Sequence, residues 1–336
     1  MIKNTIPQSQ LSILTIPWGL DWATVFNREA PLILEIGFGY GHFLDYLHQT
    51  RPDANVIGIE VDHHCLDKVE RQLIRKKMSH VRVLYGFADT ALRHVFAHGS
   101  LSEVHINFPD PWFKSRHAGR RLMQRETLDW IADRMTVGAK LYLATDIAEY
   151  AEMSADLLEA TPALTNLLPT RWENTRPHPV VTKYERRAIE EGRTCHYFTY
   201  QRNDTPTPAY PLQEELPMPH IVMQTPLTFA ELSDQLMPQD LDTDQFHIHF
   251  LSRYTNDKAI LFEVYVHEPS LEQHIGVIVV RRENTDEVTI KVSSLGTPRA
   301  TKGVHRTVGL VGEALLRLAP TTQILQDKTQ KIQHES

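Results

Sequence analysis

Apolar and polar positions alternate along the first 200 residues in two recurring patterns. Leu32–Ile36 is a short apolar run ending at a glycine cluster, the pattern of a strand buried on both faces. His42–Gln49 follows as a helix with Phe43, Leu44 and Leu47 apolar. Val56–Val61 reads as a second strand. Cys65–Lys77 reads as a charged helix with Leu66, Val69, Leu73 and Ile74 on one side. Val81–Leu84 and Val104–Asn107 are further strands, Glu126–Met135 a helix, Leu141–Ala144 a strand, and Glu149–Leu158 a helix. Strands separated by helices predict an α/β fold, a parallel sheet with helices on both faces.

The pattern changes around Asn203–Pro211. Asn203 to Pro208 is a turn-rich, proline-containing stretch that reads as a linker. Beyond it four candidate strands follow: Phe246–Leu251, Ala259–His267, Ile275–Arg281 and Val288–Ser293. Hairpin turns are expected at Asn256–Asp257 and Asn284–Asp286. A last helix carries Val304, Val308, Val311, Leu315 and Leu318, whose spacing makes one apolar stripe. Two domains are expected: 1–204, and a linker with a small α+β domain over 205–336, an antiparallel sheet with one helix on a face.

The length of 336 residues suits two domains, and 41% hydrophobic residues suffice for packed cores. The longest apolar runs, Ala259–Phe262 and Ile275–Val280, fall far short of the roughly 18–20 residues that span a bilayer. Leu11–Leu20 lacks a basic flank and is interrupted by Pro17, which argues against a signal peptide. Two cysteines, Cys65 and Cys195, cannot build a disulfide framework. A soluble, cytoplasmic protein is expected. The net charge of −7 is unfavourable for nucleic acid overall, but its distribution is uneven. Residues 1–204 hold 24 basic and 25 acidic side chains, and residues 205–336 hold 11 and 17. The first part is nearly neutral and has room for a local basic face.

Glu35-Ile36-Gly37-Phe38-Gly39-Tyr40-Gly41 lies between a strand and a helix. Glycines there let backbone N–H groups approach a ligand closely. The spacing is G-x-G-x-G, without the further glycine of a dinucleotide fingerprint. Glu60, 19 residues after Gly41, ends the second strand, where a carboxylate can accept hydrogen bonds from a ribose diol. A nucleoside without pyrophosphate, such as adenosylmethionine, suits this better than a dinucleotide. A tight turn with nothing bound is the plain alternative.

Asn107-Phe108-Pro109-Asp110-Pro111-Trp112 follows the fourth strand, where two prolines hold Asp110 over the crevice beyond the strand ends. A rigid turn whose Asp caps a backbone N–H is the alternative. Lys114, Arg116, His117, Arg120, Arg121 and Arg125 come next without an intervening acid. Such a run is commonly a solvated face; beside Asp110 it is suited to grip phosphates. Arg171–Arg187 interleaves Arg171, Arg176, Lys183, Arg186 and Arg187 with Trp172 and Tyr184, which suits either RNA contact or a surface helix start. His63, His64 and Cys65 do not converge as metal ligands. His247 and His249 share a strand face but lack an obvious third ligand, so no metal is expected. No Ser-His-Asp order and no phosphate-binding lysine loop is apparent.

Together these stretches resemble the bacterial tRNA (guanine-N7)-methyltransferase family. The matching segments are Leu34–Gly41 (LEIGFGYG), Gly58–Val61 (GIEV), Phe108–Gln124 (FPDPWFKSRHAGRRLMQ), Ala144–Asp146 (ATD) and Pro179–Arg186 (PVVTKYER). They cover roughly residues 14–202, and the FPDPW–basic and TKYE segments are more specific than the glycines. The resemblance implies a class I, Rossmann-like doubly wound sheet, S-adenosylmethionine as methyl donor, and methylation of guanine N7 at position 46 of the tRNA variable loop. It further implies that Glu35, Gly37, Gly39 and Gly41 face the methionine end of the cofactor and that Glu60 takes the ribose. Asp110 would be the active-site acid beside the cofactor. Lys114, Asp146, Thr182, Lys183, Tyr184 and Glu185 would take the tRNA and its target guanine.

One position departs from the family pattern. An Asp or Asn before Ala usually contacts the adenine amino group, and gapless counting puts Phe87-Ala88 there, with Asp89 two residues late. Either the loop shifts so that Asp89 serves, or Phe87 packs on the adenine. Two other readings remain: an exocyclic-amino tRNA methyltransferase, which the Asn107–Asp110 loop fits poorly, and a non-catalytic tRNA-binding adaptor. The C-terminal 130 or so residues have no counterpart in short family members. They read as a stabilising or dimerising module, or an auxiliary RNA-binding one.

Overall fold

The computed structural model describes residues 10–111, 121–208, 210, 212, 216–269, 271–282, 285–295 and 297–330. The chain divides into two compact units, Met1–Gln213 and Glu214–Ser336.

The first unit opens with β1 (Gln10–Ser12), α1 (Trp22–Phe26), β2 (Leu32–Ile36), α2 (His42–Thr50), β3 (Asn55–Glu60), α3 (His63–Lys76), β4 (Val81–Tyr85) and α4 (Ala88–His94). It continues with β5 (Leu101–Asn107), α5 (Arg125–Arg134), β6 (Met135–Thr145), α6 (Ala148–Glu159), β7 (Leu164–Asn166), α7 (Lys183–Glu190) and β8 (His196–Arg202). The strands form one sheet in the order β1-β4-β3-β2-β5-β6-β8-β7. Every neighbouring pair is parallel except those made by β8, which runs antiparallel to both β6 and β7. This is the doubly wound sheet that the resemblance implies, with an added strand at one edge. From β2 the chain steps through β3 and β4 to one side, then returns to β5 and steps to the other. The order therefore reverses between β2 and β5, and ligands bind at such a switch point.

The apolar runs fold as strands because both sheet faces are covered. All five residues of β2 are buried. Phe43, Leu44 and Leu47 of α2 and Leu66, Val69 and Leu73 of α3 pack on one face, and α1, α4, α5 and α6 build the core on the other. In α3, Asp62 caps the N-terminus by accepting from the Cys65 backbone N–H at 2.9 Å, and Lys77 ends the helix in the left-handed region. Ile74, expected on the buried side, is 67% exposed. Met135, expected to end a helix, instead opens β6.

Arg134 is among the largest fully buried side chains. It pairs with Asp133 and donates to the carbonyls of Leu92 at 2.7 Å and Tyr210 at 2.8 Å. The Thr207 hydroxyl donates to Asp133 at 3.0 Å. The proline-rich stretch after Asn203 is thus fastened to the first unit by a buried ion pair.

The second unit comprises β9 (His220–Gln224), α8 (Phe229–Gln235), β10 (Leu241–Asp242), β11 (His247–Thr255), β12 (Ala259–Glu268), β13 (Leu271–Arg281), β14 (Glu287–Val292), α9 (Lys302–Leu318) and β15 (Gln323–Asp327). Its antiparallel sheet has the order β10-β11-β12-β13-β14-β9-β15. Val304, Val308, Val311 and Leu315 of α9 are fully buried and share a core with Ile221, Val264 and Ile290. The turn after β11 is closed by Asn256, whose side-chain oxygen accepts from the N–H groups of Lys258 and Ala259. Among the described residues no helix is long and apolar enough to cross a membrane.

Candidate active site

Glu35 and Asn107 sit at the carboxyl ends of β2 and β5, the two strands at the switch point. Glu35 is 1% exposed. The Asn107 side-chain amide donates to its Oε1 at 3.3 Å, while Oε2 has no hydrogen-bond partner among the described residues. Burial pushes the Glu35 carboxyl up to about 8; the Asn107 bond opposes the shift and the charge of Glu60 adds to it. A buried carboxylate with one unsatisfied oxygen suits a cation, and a ligand ammonium supplies one.

The loop after β2 turns on Gly37, Gly39 and Gly41, all with positive φ, at 75°, 52° and 73°. At Gly41 space is also limiting, since a Cβ would lie 2.7 Å from Val69 Cγ2. Gly39 donates its backbone N–H to Glu60 Oε2 at 2.9 Å. Glu60 Oε1 accepts from the N–H groups of Val61 at 2.8 Å and Asp62 at 3.1 Å. Three of the carboxylate's roughly four acceptor sites are therefore taken by backbone, leaving one, on Oε2, for a hydroxyl. The sequence reading expects Glu60 to accept hydrogen bonds from a ribose diol; the backbone takes up most of that capacity.

Gly86 reaches back to the Glu60 carbonyl at 3.1 Å and leads into Phe87, the N-cap of α4. The Phe87 ring is 61% exposed, and Ala88 packs against the core. Asp89 is turned onto its own helix, its Oδ1 accepting from the Thr90 N–H at 2.7 Å. Of the two candidates for the adenine corner, Phe87 is exposed and Asp89 is half-buried with one oxygen engaged by its own helix.

On the other side of the crevice, Phe108 adopts φ 54°, a conformation costly for a bulky residue. Its N–H donates to the Ala144 carbonyl at 2.8 Å, and its ring packs against Ala144, Ala188, Cys195 and Tyr197. Beyond it Pro109 is half-buried and Asp110 exposed. Partial desolvation raises the Tyr184 hydroxyl, and Asp110 and Glu60 add to the shift, so this ring stands within the field of both carboxylates. Arg121 donates to the Pro111 carbonyl at 3.1 Å and so braces the end of the Asp110 loop. Lys114, Arg116 and Arg120, with Trp112 and His117, lie outside the described residues.

Asp146 follows β6 and is held by Arg193 at 2.9 Å, a partner the sequence did not single out. The TKYE segment divides in two. Thr182 and Glu185 form a capping box at the start of α7. Glu185 is fully buried and also accepts from Arg176 Nε and the Tyr197 hydroxyl, each at 2.6 Å. These two residues anchor the helix, and Lys183 and Tyr184 project from it. A cleft of about 300 Å³ is lined by Glu35, Gly37 and Asn107 from the strand ends and by Thr182, Lys183 and Tyr184 from α7.

Burial raises both thiols, Cys65 to about 11, so neither is a ready nucleophile. Among the described residues no group of three or more His, Cys, Asp or Glu side chains is placed to hold a metal ion.

Residues 29–198 match the family model described as "Putative methyltransferase". A tRNA (guanine-N(7)-)-methyltransferase of Alkalilimnicola ehrlichii is 38% identical over 187 residues, covering 56% of this chain and 79% of that protein. One of Paraburkholderia xenovorans is 38% identical over 172 residues, covering 51% and 66%. A solved SAM-dependent methyltransferase of Aquifex aeolicus aligns at 12% identity with a TM-score of 0.38, over 52% of this chain and 83% of that one. The strand order, the family match and these relatives agree: the chain belongs to the bacterial tRNA (guanine-N7)-methyltransferase family, enzymes of the class I fold that take their methyl group from S-adenosylmethionine.

Proposed function

We propose that this enzyme methylates N7 of guanine at position 46 of the tRNA variable loop by in-line transfer. The observation that carries the reading is the single cleft shared by the buried Glu35–Asn107 pair and the Lys183–Tyr184 end of α7. S-adenosylmethionine supplies a methyl group made electrophilic by its sulfonium. Guanine N7 has an in-plane lone pair and no proton, so no general base and no covalent enzyme intermediate are needed. That agrees with the two protonated thiols.

The protein's work is then positioning and charge stabilisation. Glu35 Oε2 takes the cofactor's ammonium, the backbone of Gly37, Gly39 and Gly41 lies along its methionine part, and the open acceptor site of Glu60 takes a ribose hydroxyl. Phe87 and Ala88 border the adenine. Asp110 accepts from the guanine edge and offsets the positive charge that N7 methylation creates, and Asp146 does the same from the end of β6. Lys183 and Tyr184 meet the substrate, with Lys114, Arg116, Arg120 and Arg121 along the phosphates. Thr182 and Glu185 support this surface from within. Residues 1–204 carry the reaction, and 205–336 serve as an accessory module that stabilises or pairs the enzyme. A tRNA substrate supports a cytoplasmic location.

Incubation with unmodified tRNA and methyl-labelled cofactor tests this reading. Label in N7-methylguanosine at position 46 is expected; label in an amino-methylated base would overturn the N7 assignment.

A further inference from the structure

The glycine loop carries one side chain that the reaction outlined above does not use. Tyr40, between Gly39 and Gly41, is half-buried. The Lys183 ammonium lies over its ring, 4.1 Å from the centroid, and the Lys68 ammonium lies over it at 3.8 Å. The two cations come from different elements. Lys183 opens α7, which the Thr182–Glu185 box and the buried Glu185 hold in place, and Lys68 lies within α3. Both residues are exposed.

Their distances to one centroid put the two nitrogens no more than about 8 Å apart, within a Debye length at physiological ionic strength, so their repulsion is felt. Arg186 adds a third positive charge nearby. After desolvation, Arg186, Lys68 and Lys183 all lower the pKa of His42 at the rim of the cleft, with Asp45 opposing them. Among the described residues no carboxylate forms an ion pair with Lys68 or Lys183. The Tyr40 ring offsets part of the repulsion, and an anion that reaches both ammonium groups would offset the rest.

We propose that Tyr40 is a positioning residue, whose ring holds Lys68 and Lys183 together over the cofactor loop as a seat for one phosphate of the tRNA backbone. The seat rests on the reading of tRNA as substrate. It links the two halves of the site, because the loop that lies along the cofactor also carries the ring that fixes the two cations.

The test measures kcat and KM for tRNA, tRNA binding across a salt series, and binding of S-adenosylhomocysteine without tRNA. The proteins compared are wild type, Tyr40→Phe, Tyr40→Ala and Lys68→Ala. Tyr40→Ala and Lys68→Ala are expected to raise KM for tRNA about five- to tenfold, and Lys68→Ala to lower the salt slope of binding by about one. Tyr40→Phe keeps the ring and is expected to restore KM to within about twofold of wild type. The proposal is overturned if Tyr40→Phe loses as much as Tyr40→Ala. It is equally overturned if Tyr40→Ala weakens S-adenosylhomocysteine binding as much as it raises KM, since the ring would then serve only to fold the loop. Wild-type protein that binds the cofactor product but no tRNA would overturn the substrate reading and this seat with it.

Discussion

Asn107 donates to only one oxygen of the buried Glu35 carboxyl, at 3.3 Å, and the other oxygen has no partner among the described residues. That relationship sets a pH dependence. Burial raises the Glu35 pKa from an ordinary 4.5 to about 8, so the folded enzyme holds this proton more tightly than the unfolded chain. Between those values the free enzyme binds more protons folded than unfolded, and its stability falls as pH rises. Cofactor binding follows the opposite sign, since the ionised carboxylate is the form that attracts an ammonium. Affinity for S-adenosylhomocysteine should therefore rise with pH up to about 8, and Glu35→Gln should flatten that profile and weaken binding roughly tenfold or more. Calorimetric titration at several pH values checks both.

Asp110 stands exposed beyond the strained Phe108, in the field that Tyr184 also feels. Its proposed work is confined to the reacting base. Asp110→Ala should lower the single-turnover methylation rate about 10²-fold while tRNA affinity changes little. An unchanged single-turnover rate would remove Asp110 from the reaction.

Glu185 is fully buried between Arg176, Tyr197 and the Thr182 cap, so its loss should be felt first as stability. Glu185→Ala removes the partner of the half-buried Arg176 and leaves the buried Tyr197 hydroxyl without that acceptor, at a cost of about 1–3 kcal/mol. Tyr197→Phe removes one hydrogen bond and should cost about 1 kcal/mol. Thermal melts of the two variants give the comparison, and equal losses would contradict this account of α7.

The bond from Arg134 to the Tyr210 carbonyl bears on where the enzyme can be shortened. A chain ending after Gln213 keeps that partner, and one ending after Asp204 does not. The shorter protein should be less stable by about 1–3 kcal/mol, the cost of an unsatisfied buried donor. Denaturant titration of both truncations measures the difference. If the 1–213 protein keeps full tRNA affinity, residues 214–336 have no part in RNA binding.

The central strands were legible because Leu32–Ile36 and Val56–Val61 are apolar but for Glu35 and Glu60 near their carboxyl ends, as burial on both faces requires. α9 was legible from its stripe of Val304, Val308, Val311 and Leu315. β1, β7, β8, β9, β10 and β15 were not read: all but β8 are five residues or fewer, and β8 takes its antiparallel partner β6 from some fifty residues earlier in the chain. The glycines, Glu35 and Glu60 stand where the motif put them, at the end of two neighbouring strands. Two relationships at the site were missed. The Arg193 partner of Asp146 lies in an irregular stretch with no pattern of its own. The Thr182–Glu185 box does have a signature, T-x-x-E before a helix, which the resemblance to a substrate-binding segment obscured.

The most direct test of the central claim is methyl transfer to two unmodified tRNA transcripts that differ only in carrying guanine or adenine at position 46. The account predicts labelled N7-methylguanosine from the guanine transcript, mapped by cleavage to that position, and none from the adenine one. Equal labelling of both transcripts, or label in any other nucleoside, would contradict it.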